Sequence, residues 1–133
     1  DLQGAAFVGS AGQLLTKILA SVGINREDVY ITNTVKCRPP QNRDPELDEI
    51  LACQTYLKSQ ISLINPQIIL ALGRIAGNAL LGTHLTLKEL RATPHIFENK
   101  MLTVTYHPAA LLRNAEYKRP TYEDFKQLIK RLN

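Results

Sequence analysis

The sequence predicts an α/β chain: a central, mostly parallel sheet between helices, in three layers. Three observations carry this. Stretches with apolar residues every three or four positions alternate with short β-branched or apolar runs. Ile68 to Leu72 is apolar throughout, as a strand covered on both faces should be, and Met101 to Tyr106 reads as a second such strand. The alternation of helix with buried strand is the order that lays parallel strands side by side.

In chain order, Leu14, Leu15, Ile18, Leu19 and Val22 have helical spacing, with Ser10 as N-cap and Gly23 as the stop. Val29 to Thr32 is β-branched and aromatic and reads as a strand. Lys36 to Arg43 holds two prolines and three cations without an acid, an irregular basic loop. Asp44-Pro45 opens a helix whose early acids, Glu46, Asp48 and Glu49, suit the positive end of its dipole. Leu47, Ile50, Leu51, Leu57, Ile61 and Ile64 carry it to Pro66. The strand Ile68 to Leu72 ends at Gly73, and a short helix from Arg74 to Leu81 stops at Gly82. After the strand Met101 to Tyr106 comes His107-Pro108. An amphipathic helix, Thr121 to Leu132, closes the chain on Tyr122, Phe125, Leu128, Ile129 and Leu132. In parallel sheets functional loops gather at the carboxyl ends of strands. Asn33 to Arg43, Gly73-Arg74 and His107 to Arg113 take those positions. No repeat or linker divides residues 1–133, which read as one domain.

Composition excludes several classes. With 133 residues, 44% hydrophobic and 21% charged, the chain resembles neither a disordered tail nor a collagen. Two cysteines cannot staple a secreted scaffold, so a reducing, cytosolic setting is expected. The longest apolar run is about five residues against the ~20 a bilayer requires, so no membrane partner is expected. A net charge of +4 permits a polyanionic partner without demanding one. The chain starts at Asp1 almost within a Gly-rich turn, Gly4 to Gly12, and reads as a piece of a longer protein lacking its N-terminal part.

Three constellations could carry chemistry. The Gly4 to Gly12 stretch lets backbone approach a ligand, or simply turns tightly with Phe7 in the core. It is not a P-loop, because no Gly-Lys-Ser/Thr follows. Cys37 in the basic loop and Cys53 in the next helix are either small buried hydrophobes or half of a four-cysteine metal or iron–sulfur site. Tyr106 to Arg113 is the sharpest segment. A histidine fixed by proline at a strand end suits a catalytic acid or hydrogen-bond donor. Leu111-Leu112 beside Arg113 puts apolar wedges next to a phosphate-seeking cation, as insertion into a base stack requires. A capped helix with a buried leucine pair is the alternative. His84 and His95 lack comparable context.

These residues resemble the family-four uracil-DNA glycosylases, the thermostable iron–sulfur type. The resemblance runs through Phe7 to Gly12, Tyr30 to Arg43 with its Lys-Cys-Arg-Pro-Pro block, Cys53, Ala71 to Arg74, and Tyr106 to Arg113 with its His-Pro-Ala-Ala-Leu-Leu-Arg block. It covers nearly the whole chain in the family's order. It implies hydrolysis of the N-glycosidic bond of deoxyuridine, by base flipping, in single- or double-stranded DNA. Phe7 would stack on the flipped uracil and Asn33 would read its amide edge, since the Asn amide pairs with O4 and N3–H. His107 would donate to uracil O2, Leu111 would fill the gap in the stack, and Lys36, Arg38, Arg43 and Arg113 would contact DNA. Cys37 and Cys53 would be two of four ligands to a [4Fe–4S] cluster in the complete protein, which is expected to be a nucleoid-associated monomer of a bacterial or archaeal cytosol.

The family's Gly-Glu-Ala-Pro-Gly loop and first cysteine pair do not occur in this sequence. Ala6 replaces the proline usual before that Phe, and Arg91-Ala92 stands for Arg-Gly. A non-catalytic DNA-binding module of the same fold, as in phage-type polymerases, or an inactive fragment is the alternative function. A related glycosylase that bonds covalently to the abasic sugar is a third; the inserted basic loop it carries is not found in Gly82 to Arg91.

Overall fold

The computed structural model describes residues 9–25, 27, 29–31 and 46–132, which fall into two compact units. One comprises Asp1–Asn33 and Tyr106–Asn133, the other Thr34–Thr105.

The continuous unit is built on three strands: β1 (Ile68–Leu72), β2 (His95–Phe97) and β3 (Lys100–Thr105), in the order β1-β3-β2. β1 and β3 run parallel with Ile68 opposite Met101 and Leu72 opposite Thr105, while β2 pairs antiparallel with β3. Helices α2 (Leu47–Ile64), α3 (Arg74–Leu81) and α4 (Leu87–Ala92) accompany the sheet. Alternate strand residues Ala71, Leu102 and Val104, with Phe97 of β2, meet Leu57, Ala79, Leu80 and Leu90 in a single core. Gly77 allows the close approach of α3: a Cβ there would lie 3.1 Å from Val104 Cγ2 and 3.2 Å from Leu90 Cδ1.

Side-chain hydrogen bonds tie several of these connections. Buried Asn78 donates through Nδ2 to the Leu85 carbonyl, and its Oδ1 accepts from Thr83 Oγ1 and the Leu85 N–H. One side chain thus organises the connection from α3 to α4. Thr86 and Glu89 form a reciprocal capping box at the start of α4. Hydrogen bonds from the Thr86 backbone and hydroxyl hold the Glu89 carboxyl below its ordinary value. That support is present above the unfolded pKa and is lost as pH falls through the lowered one. His95 Nε2 lies 2.9 Å from the Leu90 carbonyl, so this nitrogen donates and ties β2 to the end of α4.

The discontinuous unit holds α1 (Ser10–Ser21), α5 (Pro108–Arg113), a 3-10 turn (Ala115–Tyr117) and α6 (Lys118–Leu132). Leu15, Ile18 and Leu19 of α1, Leu111 of α5, and Phe125 and Leu128 of α6 are its buried apolar residues. Both α5 and α6 pack on α1.

Several expectations change. Gly9, not Ser10, caps α1, and no side-chain oxygen serves it. The strand expected at residues 29–32 is not formed over 29–31; β propensity alone makes no strand without a partner, and no described strand pairs there. The final helix starts at Lys118 rather than Thr121, because Pro120 falls in its first turn, where its missing N–H costs nothing. The Asp44-Pro45 helix start lies outside the described residues. Among the described residues no helix is long and apolar enough to cross a membrane.

Candidate functional site

β3 delivers the chain to Tyr106 and His107, and the next residues must become helix. Pro108 at the first helical position has its φ already set and no N–H to satisfy. The first N–H needing a partner is that of Ala109, and His107 supplies it: Nδ1 accepts from Ala109 N–H at 3.0 Å. His107 is the N-cap, with φ −71° and ψ 138°, and its carbonyl accepts from the Ala110 N–H at 2.9 Å. An imidazole nitrogen that accepts a hydrogen bond carries no proton. In the neutral ring the proton therefore sits on Nε2, making that atom the donor. The cap fixes the ring's tautomer and its orientation together.

The leucine pair divides. Pro108 and Leu111, three residues apart on one helix face, are both buried. Leu111, expected to enter the base stack, is 1% exposed and belongs to the core of its unit. Leu112, about 100° further round this short helix, is 52% exposed. Arg113 follows, exposed, in the last turn, where a cation complements the carbonyl end of the helix.

A contact with no sequence signal braces the loop. Tyr106 and Tyr117 stack with ring centroids 4.5 Å apart and planes 12° from parallel. The residue before His107 is thus clamped to the 3-10 turn eleven positions along. Asn114 caps that turn, and buried Thr121 Oγ1 donates to the Tyr117 carbonyl at 2.8 Å.

In the continuous unit the carboxyl ends of β1 and β3 lie side by side. Gly73, at φ 95°, donates its N–H to the Thr105 carbonyl at 2.7 Å. Gly73-Arg74 thus leaves the sheet beside the end of β3, as the parallel arrangement requires. Phe7, Asn33, Lys36, Cys37, Arg38 and Arg43 lie outside the described residues. Cys53 lies on α2, with its side chain outside the description. Among the described residues no group of three or more His, Cys, Asp or Glu could hold a metal ion.

An α/β fold whose β3 runs into a histidine-capped helix is matched along nearly the whole chain by one family. The uracil DNA glycosylase superfamily matches residues 1–132, and the chain belongs to it. More particularly, it is 46% identical to the type-4 uracil-DNA glycosylase of Saccharolobus solfataricus, over 100% of this chain and 66% of that protein. It is 41% identical to the type-4 enzyme of Archaeoglobus fulgidus, over 96% of this chain and 68% of that one. A DNA polymerase of Bacillus phage SP01 is 37% identical over 88% of this chain, which covers 12% of the polymerase. The chain therefore spans about two thirds of the length of the two type-4 proteins.

The two leucines should separate under mutation. Leu111→Ala is expected to destabilise the protein by about 2–5 kcal/mol in urea unfolding, as for a buried leucine. Leu112→Ala should stay within about 0.5 kcal/mol of the parent, as for an exposed residue. Equal losses for the two would contradict the division.

Proposed function

We propose that the protein acts in DNA base-excision repair, hydrolysing the N-glycosidic bond of deoxyuridine to release uracil and leave an abasic site. The observation that carries this reading is the His107 cap. It supplies a neutral ring with Nε2–H as donor, held by the backbone of its own helix. The family match and the type-4 relatives support the same chemistry.

The mechanism follows from the charges. As the C1′–N1 bond lengthens, its electron pair moves onto uracil, and the sugar becomes oxocarbenium-like. Water then bonds to C1′, and the proton it releases neutralises the uracil anion. A donor set at uracil O2 stabilises the state in which that oxygen has become negative more than the ground state, which raises the rate. Because His107 donates as a neutral ring, it need not transfer its proton to the base. In this reading Phe7 stacks on the extruded uracil and Asn33 pairs with O4 and N3–H. Lys36, Arg38, Arg43 and Arg113 take DNA phosphates, in single- or double-stranded substrate. Leu112, rather than Leu111, fills the vacated place in the stack.

The reading includes a [4Fe–4S] cluster and a cytosolic, nucleoid-associated monomer. Soft thiolates suit the cluster, and Cys37 and Cys53 would be two of its ligands. These are the only cysteines of the sequence, half of the usual donor set, so no step is assigned to the group. Where the cluster is present it has a structural role. Residues 1–133 are read as one functional domain. The similarity to part of a phage polymerase favours a second reading, a non-catalytic glycosylase-like module that binds DNA.

Single-turnover excision separates the two readings. His107→Asn keeps a side chain that caps helices well but removes the Nε2–H. The rate of uracil release is expected to fall by about 10²–10³, as for loss of one donor to a developing oxyanion. DNA affinity and melting temperature should hold. A near-parental rate contradicts the role of His107, and no release by the parent favours the non-catalytic reading. For the cluster, Cys53→Ser should abolish bound iron and sulfide in anaerobic preparations that contain them. Unchanged iron would reduce the two cysteines to packing.

A further inference from the structure

The turn from α5 into α6 carries three exposed cations, Arg113, Lys118 and Arg119. Among the described residues none of the three forms an ion pair; α6 has one further along, between Lys126 and Glu123 at 3.5 Å. The charge of Arg113 has a structural use at the carbonyl end of α5. Lys118 and Arg119 are placed the other way. They occupy the first turn of a 15-residue helix that has no acid there, at the end where the peptide dipoles disfavour a cation. The one acid of the turn, Glu116, is engaged with Asn114, whose Nδ2 donates to Glu116 Oε1 at 3.0 Å. At that end two cations without an ion pair among the described residues gain no support from the helix dipole.

Their position is nevertheless well determined. Tyr117, immediately before Lys118, stacks on Tyr106, immediately before His107. This stack sets Lys118 beside the root of the His107 loop, although eleven positions separate the two in sequence. The Asn114 cap and the Thr121 hydroxyl bond stiffen the same turn. Leu112 stands exposed in the segment between His107 and Lys118, with Arg113 next to it. An apolar side chain bordered by cations is the pattern of a wedge flanked by contacts to the sugar-phosphate backbone.

We propose that Lys118 and Arg119 bind backbone phosphates of the DNA strand next to the extruded nucleotide, forming with Arg113 a cationic clamp around Leu112. This rests on the DNA reading above and adds the residues that seat the duplex against the His107 loop. Phosphate contacts fix register and carry no sequence information, so the clamp positions DNA whatever bases flank the uracil.

Salt dependence tests it. Binding of the full chain to a short duplex with a stable abasic-site analogue is followed by fluorescence anisotropy over a range of KCl. Lys118→Ala/Arg119→Ala is compared with Lys130→Ala/Arg131→Ala, two cations from the far end of the same helix. Each lost phosphate contact reduces the slope of log K against log salt by about 0.9, so the first pair should lose about 1.8 and the second almost nothing. Circular dichroism and thermal midpoint should match the parent for the first pair. An unchanged slope for that pair, or an equal loss for both pairs, overturns the clamp. Uracil release by the parent is measured alongside. If the parent binds and excises while the first pair keeps its slope, the clamp fails and the glycosylase reading stands. If the parent does not bind the duplex, both fail. If it binds with the expected slopes but releases no uracil, the clamp stands and the catalytic reading fails.

Discussion

The hydrogen bond from Ala109 N–H to His107 Nδ1 is the interaction on which the proposed chemistry depends. A helix starting immediately after a strand needs an acceptor for its early N–H groups, and Ser, Thr, Asp or Asn would ordinarily provide it. Here an imidazole does so. One bond satisfies the backbone, chooses the tautomer and holds the ring, so the fold orients the candidate catalytic donor through its own hydrogen bonding. Pro108 contributes by bringing a preset φ and no N–H of its own that needs a partner at the first helical position. Buried Leu111 anchors the helix, leaving Leu112 and Arg113 outward.

The Tyr106–Tyr117 stack extends this constraint to the following turn. Aromatic pairs of this kind contribute about 0.5–1.5 kcal/mol beyond the area they bury. The more important consequence is geometric, because Leu112, Arg113, Lys118 and Arg119 become parts of one stiff element with His107. A surface that must extrude a base benefits from such stiffness, since each side chain ordered only on binding would subtract from affinity.

Much of this was legible in the sequence, for identifiable reasons. The apolar run of β1, the stop at Gly82 and the long periodicity of α2 each leave a direct mark, and the structure has all three. The His-Pro start of α5 is equally plain, although its capping geometry is not. β2 escapes because it is three residues long and its hairpin turns through Glu98 and Asn99, both at positive φ, without the Asn-Gly or Asp-Gly that advertises such turns. α4 does carry a written start signal, Thr86 with Glu89 three residues on, but only one turn and a half of apolar spacing behind it. Within the site, residue type alone does not separate Leu111 from Leu112. Adjacent positions on a helix differ by about 100°, and which one faces the core depends on how α5 lies on α1, a tertiary fact. The Tyr106–Tyr117 stack is likewise a pairing of distant positions that no local pattern reveals.

The ring of His107 offers the most direct measurement. Long-range ¹H–¹⁵N correlation spectra of the uniformly labelled protein at neutral pH distinguish a protonated from an unprotonated ring nitrogen. His107 is expected to show an unprotonated Nδ1 and a protonated Nε2, with the pattern lost when the helix beyond it is unfolded by denaturant. A proton on Nδ1 in the folded protein would contradict the cap, and with it the assignment of Nε2–H as the donor to uracil.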